Sequence, residues 1–372
     1  MFMFIRVNKN IDNILSKCYF DKNITKFKKA IESGETVDCL VKTDYEITSL
    51  ISAVVSNSCD MSDDMKKKFF NALLSADAQL MQLSHEPPIL NSCISKNNCT
   101  YYLSKLLKNG ADINANTIKG TKNLFIKTDT PIISAVKQGS VEKIEVLLNH
   151  NPDLSISDKY GSPVLNILIE SHPKHAKHLL PSFIKNGVNL NQKCTDGLSC
   201  IHKFIIHTMD NDIFNYLIDN GANINIKTKT GHTPIMFAME WARHDIVDLL
   251  IKKNAKINQT NNLGESELMI AVKCNNLTSF KALIDHSADI SMQNKKGENV
   301  MHYIIDHLSG SYDIVDKDME SYFIKFMKNN PDLMSVKNRS GKTPLVFLSE
   351  KLPKIHSGIS KSVKKGDKNM EL

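Results

Sequence analysis

Thr230 to Asn258 reads TGHTPIMFAMEWARHDIVDLLIKKNAKIN, and this stretch decides the fold. Gly231 can take the positive φ of a tight turn. Pro234, directly after Thr233, has the fixed φ of a first helical turn, where its missing N–H costs nothing. Two short helical runs follow, the second with Leu249 and Leu250 on the face expected to be buried, and a polar turn closes the stretch at Ile257-Asn258. A unit this short cannot bury its own apolar face, so it requires neighbours of the same kind.

The sequence contains those neighbours. Turn glycines recur at Gly161, Gly197, Gly231, Gly264 and Gly297, at intervals of 36, 34, 33 and 33 residues, and Gly341 follows after 44. Gly231-His232-Thr233-Pro234-Ile235 and Gly341-Lys342-Thr343-Pro344-Leu345 fill one slot of the repeat. Asn109-Gly110-Ala111-Asp112-Ile113-Asn114 and Asn220-Gly221-Ala222-Asn223-Ile224-Asn225 fill the slot after the second helix. On these residues the chain resembles ankyrin repeat proteins over nearly its whole length, with decay at both ends. The resemblance implies an all-α solenoid of stacked helix-turn-helix units with short, hairpin-like finger turns, in which each repeat touches only its neighbours.

Four segments are expected: a divergent N-terminal cap over 1–40, an array of about eight repeats over 41–337, a C-terminal capping helix over 338–352 and a basic disordered tail over 353–372. Within the cap, Ile24 to Ile31 has helical spacing. Thr48-Ser49-Leu50-Ile51-Ser52-Ala53 and Pro87-Pro88-Ile89-Leu90 read as starts of first helices, and the polar stretch from Asn57 to Lys68 as a loop or a helix extension. Insertions over 116–129 and 309–319 lengthen two repeats; the first reads as an extended finger, and extra length of this kind falls on one loop face.

Composition restricts the function classes. With 41% hydrophobic and 23% charged residues the chain reads as folded and soluble, and no run of eighteen apolar residues suggests a membrane span. MFMFIRVNKN is apolar for too few residues to be a secretory leader. Eight scattered cysteines make a poor disulfide framework, so a reducing, intracellular, cytoplasmic setting is expected. The net charge of +7 is modest and suggests solubility more than nucleic-acid binding.

Candidate chemistry is sparse. His172, His175 and His178 lie three apart and would share a helix side, but Pro173 places them at a turn between helices. Cys194, Cys200 and His202 have no zinc-ligand spacing; the resemblance gives His202 and His302 a structural role, tying backbone across the turn. Gly341-Lys342-Thr343 imitates the end of a phosphate loop, yet Val336 stands where that loop needs its first glycine. No enzyme activity, cofactor or metal is expected.

The resemblance implies a protein-interaction scaffold whose finger tips and exposed first-helix positions line up as one concave groove. The positions two before, one before, one after, and nine and ten after each turn glycine give its side chains. Around Gly231 they are Lys229, Thr230, His232, Glu240 and Trp241; around Gly264, Asn262, Leu263, Glu265, Lys273 and Cys274. Around Gly297 they are Lys295, Lys296, Glu298, Asp306 and His307, and near Gly341 they are Arg339, Ser340 and Lys342. Trp241, the only tryptophan, is the residue type most enriched at binding hot spots. The basic tips suit a protein partner with an acidic surface. Alternatives are an effector or adaptor of a virus or intracellular bacterium that engages host proteins and, ranked last, a nucleic-acid or phosphoinositide binder. The resemblance also marks Asn114 and Asn225 as the type of turn asparagine that asparaginyl hydroxylases modify.

Overall fold

The computed structural model describes residues 22–33, 40–42, 47–49, 54, 62–75, 89–95, 99–119, 125–127, 129–208, 210–311, 317–357 and 359. The chain divides into two compact units, 1–189 and 190–372.

In the first unit, α1 (Ile24–Glu32) packs on α2 (Asp63–Ser75), with Phe27 edge-on to Phe69 at 4.8 Å. Between them β1 (Leu40–Lys42) pairs antiparallel with β2 (Ile47–Ser49). The first-helix start expected at 48–53 is therefore strand at 48–49, and 50–53 lie outside the described residues. The stretch from Asn57 to Lys68 becomes helix from Asp63, where Asp63 and Asp64 complement the positive end of the helix dipole.

Next come α3 (Ile89–Ile94) and α4 (Thr100–Lys108), then the hairpin of β3 (Thr117–Lys119) and β4 (Phe125–Lys127), which is the extended finger. The unit continues with α5 (Pro131–Gln138), α6 (Val141–Leu148), α7 (Val164–Ser171) and α8 (Pro173–Lys185). First helices α3, α5 and α7 pack in succession, and second helices α4, α6 and α8 do the same.

The second unit repeats the scheme with α9 (Cys200–His207), α10 (Asn211–Asp219), α11 (Pro234–Glu240), α12 (His244–Lys252), α13 (Glu267–Lys273) and α14 (Leu277–Asp285). Helix α15 (Val300–Asp306) runs into a π-helical turn, His307–Ser311, followed by α16 (Lys317–Asn329), a 3-10 turn (Pro331–Ser335) and α17 (Pro344–Lys351). First helices α9, α11, α13, α15 and α17 pack in succession. Each starts on a polar N-cap: Thr233 Oγ1 accepts from the Met236 N–H, and Thr343 Oγ1 from that of Val346.

The core of each repeat is the apolar side of its helix pair. In α12, Ile246, Val247 and Leu250 are fully buried while Leu249 is half-buried. This corrects the expectation for Leu249, because helical spacing from Ile246 puts Leu250, four residues on, over the same face. At the C-terminal end α17 stops at Lys351, Leu352 breaks the helix, and residues 353–357 and 359 are helical again, with Ile359 fully buried. Residues 353–357 and 359 therefore depart from the disordered tail expected from 353, and residues 360–372 lie outside the described residues.

Each unit is thus a stack of helix pairs with fingers between them, the all-α ankyrin solenoid that the sequence implies, and the first unit adds, among the described residues, the two short hairpins β1-β2 and β3-β4.

Candidate protein-binding surface

The last three fingers of the second unit, at Gly264, Gly297 and Gly341, are built by one local device. Asn261 Oδ1 accepts the N–H groups of Leu263 at 2.9 Å and Glu265 at 3.0 Å. Asn294 does the same for Lys296 and Glu298, and Asn338 for Ser340 and Lys342. Such asparagine turns mimic a backbone turn and need little else. Main-chain bonds from Asn261 to Glu265, Asn294 to Glu298 and Asn338 to Lys342 close each loop, as Thr228 to His232 does in the finger before.

Neighbouring fingers are then joined through their backbones. Asn262 donates to the Thr230 carbonyl, Lys295 to that of Leu263 and Arg339 to that of Lys296, at 2.8 to 2.9 Å. A second row lies after the outer helices, where Asn225 Oδ1 accepts from the Lys256 N–H and Asn258 Oδ1 from that of Asp289, both at 2.7 Å. Asn191 joins this row through Asn223, and Asn114 makes the same bond to Asp153 in the first unit. Both candidate hydroxylation sites therefore use their side-chain oxygens to tie one repeat to the next. Asn258 was legible only as a turn residue and Asn191 was missed, because nothing in one repeat shows a bond to its neighbour.

The tips Lys229, Thr230, Asn262, Leu263, Lys295, Lys296, Arg339, Ser340 and Lys342 are exposed, Leu263 at 62%. Trp241 caps the end of α11 with 49% of its surface exposed, its ring tilted over Phe237 at 6.2 Å. Packing against Phe237 leaves half of the indole facing solvent.

Beneath the tips, several expected groove residues are bonded to one another. Glu240 meets His232 at 3.3 Å, and His232 meets Asn261 Nδ2 at 3.1 Å. Asn261 donates to Glu265 at 2.7 Å, Tyr303 donates to Glu265 at 3.0 Å, and Asn294 donates to both Tyr303 and Glu298 at 2.8 Å. The row crosses three repeats. Glu265 is 5% exposed, which corrects its place among free groove residues: Lys273, Asn261 and Tyr303 converge on it from three directions. Burial draws its carboxyl upward, but those partners outweigh burial and hold it below the ordinary value. For Glu240 desolvation wins over nearby His232 and Lys273, and its pKa is raised.

His307 is fully buried, a second correction, because α15 continues as a π-helical turn and carries it inward past the tenth position. Lys342 is exposed but paired with Glu350 at 2.9 Å, and Asp306 with Lys351 at 2.6 Å. Asn262 spends its amide on the Lys229 carbonyl at 2.7 Å, and Cys274 is half-buried.

The remaining candidates are occupied structurally. The Ser199 and Asn299 N–H groups reach Nδ1 of His202 and His302 at 3.3 and 3.2 Å, each ring closing its own N-cap. Burial pushes His202 down to about 4. His172 stacks on His175 at 5.6 Å and reaches the Lys137 carbonyl, while His178 faces Glu145 at 2.9 Å. Among the described residues, no group of three or more His, Cys, Asp or Glu side chains is arranged to hold a metal ion. Among them, too, no helix is long and apolar enough to cross a membrane.

The family model for ankyrin repeats (three copies) matches residues 174–261. A protein of fowlpox virus (strain NVSL) described as an ankyrin repeat protein is 29% identical over 151 residues, covering 39% of this chain and 41% of that protein. The chain thus spans about two fifths of the length of the curated relative it matches. The crystal structure of the ankyrin repeat domain of Bcl-3, described as a unique member of the IkappaB protein family, superposes with a TM-score of 0.48 at 22% identity, covering 61% of this chain and 97% of that one. The likeness read from the glycine period is therefore one to ankyrin repeat proteins, and residues 174–261 carry the repeats by direct match.

Proposed function

We propose that this chain is a non-catalytic protein-interaction scaffold, and that its second unit binds a protein partner through the finger tips and the ends of the first helices. The observation that carries this reading is the exposure of Trp241 and Leu263 on a backbone stitched from finger to finger. A rigid frame lowers the ordering cost of binding, and large exposed aromatic side chains are the usual anchors of an interface. The proposed contact residues are Lys229, Thr230, Trp241, Leu263, Lys295, Lys296 and Arg339. His232, Glu240, Lys273 and Glu298 act beneath them by holding the frame. Glu265 is assigned to that frame and not to the contact surface.

A second reading, an effector or adaptor of a virus or intracellular bacterium that acts on host proteins, is favoured by the likeness to the fowlpox virus protein. It shares the same surface and changes only whose protein is bound.

Capture tests both. The full chain and Trp241→Ala are used to recover proteins from host-cell lysate with and without nuclease, and each recovered protein is identified and re-tested in purified form. The reading expects a protein that survives nuclease, binds directly and loses about tenfold or more in affinity with Trp241→Ala. Recovery that depends on nucleic acid would overturn it.

A further inference from the structure

The hydrogen-bond donors beneath the proposed binding face are fixed from the backbone outward. Asn261 Oδ1 accepts two N–H groups of its own finger, so its amide nitrogen is the atom that faces Glu265 Oε2 at 2.7 Å and His232 Nε2 at 3.1 Å. With one amide N–H given to Glu265, the other is left for Nε2, which accepts it only as a lone pair. A neutral ring then carries its proton on Nδ1, 2.7 Å from Thr230 Oγ1, a tautomer assigned from the surrounding donors.

Glu240 makes the opposite demand. Its Oε1 stands 3.3 Å from the same Nε2, and an ionised carboxylate there calls for a proton on that nitrogen. The two demands are reconciled when the carboxyl keeps its own proton, because Nε2 then faces two donors. Partial burial acts in the same direction, raising Glu240 above its ordinary 4.5.

The groups around this pair are committed elsewhere. Besides His232, the charges acting on Glu240 are Lys273 of α13 and Glu265 of the finger before it, which are bonded to each other at 2.8 Å, and Glu265 is held below its ordinary value. Cys274, at the end of α13, is pushed up to about 11 by burial, and His202 of α9, which acts on the pair from the other side, is pushed down to about 4. Among these groups, only the pair has a proton to lose between pH 4.5 and pH 8.

We propose that Glu240 and His232 share one proton that sets the charge of the binding face at Trp241. With the proton, the carboxyl stays docked on the ring; without it, Nε2 is left to Asn261 and Glu240 stands as a free carboxylate at the residue preceding Trp241. A partner that covers Trp241 also desolvates Glu240, which favours the neutral form. Binding therefore takes up a proton: it is strongest where the free chain already holds that proton and weakens as the pH rises. This consequence rests on the scaffold reading, whereas the shared proton does not.

The test uses the full chain and Glu240→Gln, whose amide offers Nε2 an N–H at every pH. Trp241 emission and the ring ¹⁵N signals of the histidines are followed from pH 4.5 to pH 8, with His232→Gln assigning the His232 ring and far-UV circular dichroism confirming that the helices persist. The affinity of the purified partner recovered by capture is measured at both ends of the range.

The proposal expects emission and the His232 Nε2 signal to move together in one step, absent from Trp241 emission in Glu240→Gln, with Nδ1 protonated at pH 8. It expects partner affinity to fall several-fold from the lower to the higher pH in the full chain and to stay level in Glu240→Gln. Constant emission, a step unchanged in Glu240→Gln, or a ring proton on Nε2 at pH 8 would overturn it, and affinity that rises with pH would overturn the proton uptake. If the step is seen and is lost in Glu240→Gln but no protein is captured, the shared proton stands and the scaffold reading falls.

Discussion

Asn262 donates its backbone N–H to the carbonyl of Thr230 at 2.9 Å, and this bond between neighbouring fingers explains why the turn residue between them is glycine. Gly231 has φ 83°, and a β-carbon placed on it would stand 2.6 Å from the Asn262 nitrogen. Gly341 has nearly the same conformation, φ 76°, with nothing within 4 Å of that position. Alanine at 341 should cost only the left-handed backbone strain, about 1–2 kcal/mol. Alanine at 231 should cost clearly more, since the neighbouring finger must shift and its bond weaken. Chemical denaturation of the two variants measures the difference, and equal losses would contradict the ladder.

Leu250 is the central core residue of its repeat, fully buried where Leu249 is half-buried. Leu250→Ala should lose roughly 2–5 kcal/mol and Leu249→Ala distinctly less. Because each repeat couples only to its neighbours, the damaged centre should also separate two unfolding transitions. Emission from Trp241, in the same repeat, and far-UV circular dichroism, over all helices, should then cease to coincide.

Glu267 occupies the slot that proline fills in Thr233-Pro234 and Thr343-Pro344. It is 2% exposed, and both its oxygens accept from the Gln259 N–H, at 3.0 and 3.1 Å. Burial pushes its carboxyl up from 4.5 to about 7. The folded chain then holds this proton more tightly than the unfolded chain, so the contribution is complete below pH 4.5 and is lost as pH rises through about 7. The gap corresponds to about 3 kcal/mol at most. Glu267→Gln should abolish this loss, making the variant relatively more stable at pH 8 than at pH 5. His202, pushed down to about 4, works in the opposite direction, its stabilisation being lost as pH falls from 6.5 toward 4. Melting curves from pH 4 to pH 8 separate the two groups.

Asn225→Ala removes the acceptor of the Lys256 N–H and should cost about 1–2 kcal/mol. We expect hydroxylation, if the chain meets an asparaginyl hydroxylase, to fall on Asn114 or Asn225, adding one oxygen visible by peptide mass spectrometry. Unmodified peptides from cells that contain the enzyme would remove that expectation.

The repeat register was legible because it rests on backbone demands: Gly231, Gly264 and Gly297 each need a positive φ, and Thr233-Pro234 needs a helix start. Exposure of Trp241 and Leu263 followed from that register. What lay beyond it were relations between repeats. Glu265 sits at a tip-adjacent position and reads as a free acid, yet Tyr303, thirty-eight residues away, and Lys273 enclose it. His307 was misplaced because the register assumes that α15 ends as its neighbours do, whereas the insertion lets it run on as a π-helical turn. Glu267 departs from the proline of the repeat pattern, a local signal of a special position. Its burial depends on how Gln259 folds over it.

Trp241 is the only tryptophan of the chain, so its emission reports on the proposed binding face directly. The decisive measurement is a titration of the full chain with the purified partner recovered by capture, following emission at an excitation selective for tryptophan. The account predicts a saturable blue shift as the half-exposed indole is covered, with an affinity that matches an independent binding assay. Saturation in that assay with unchanged emission, together with undiminished binding by Trp241→Ala, would contradict it.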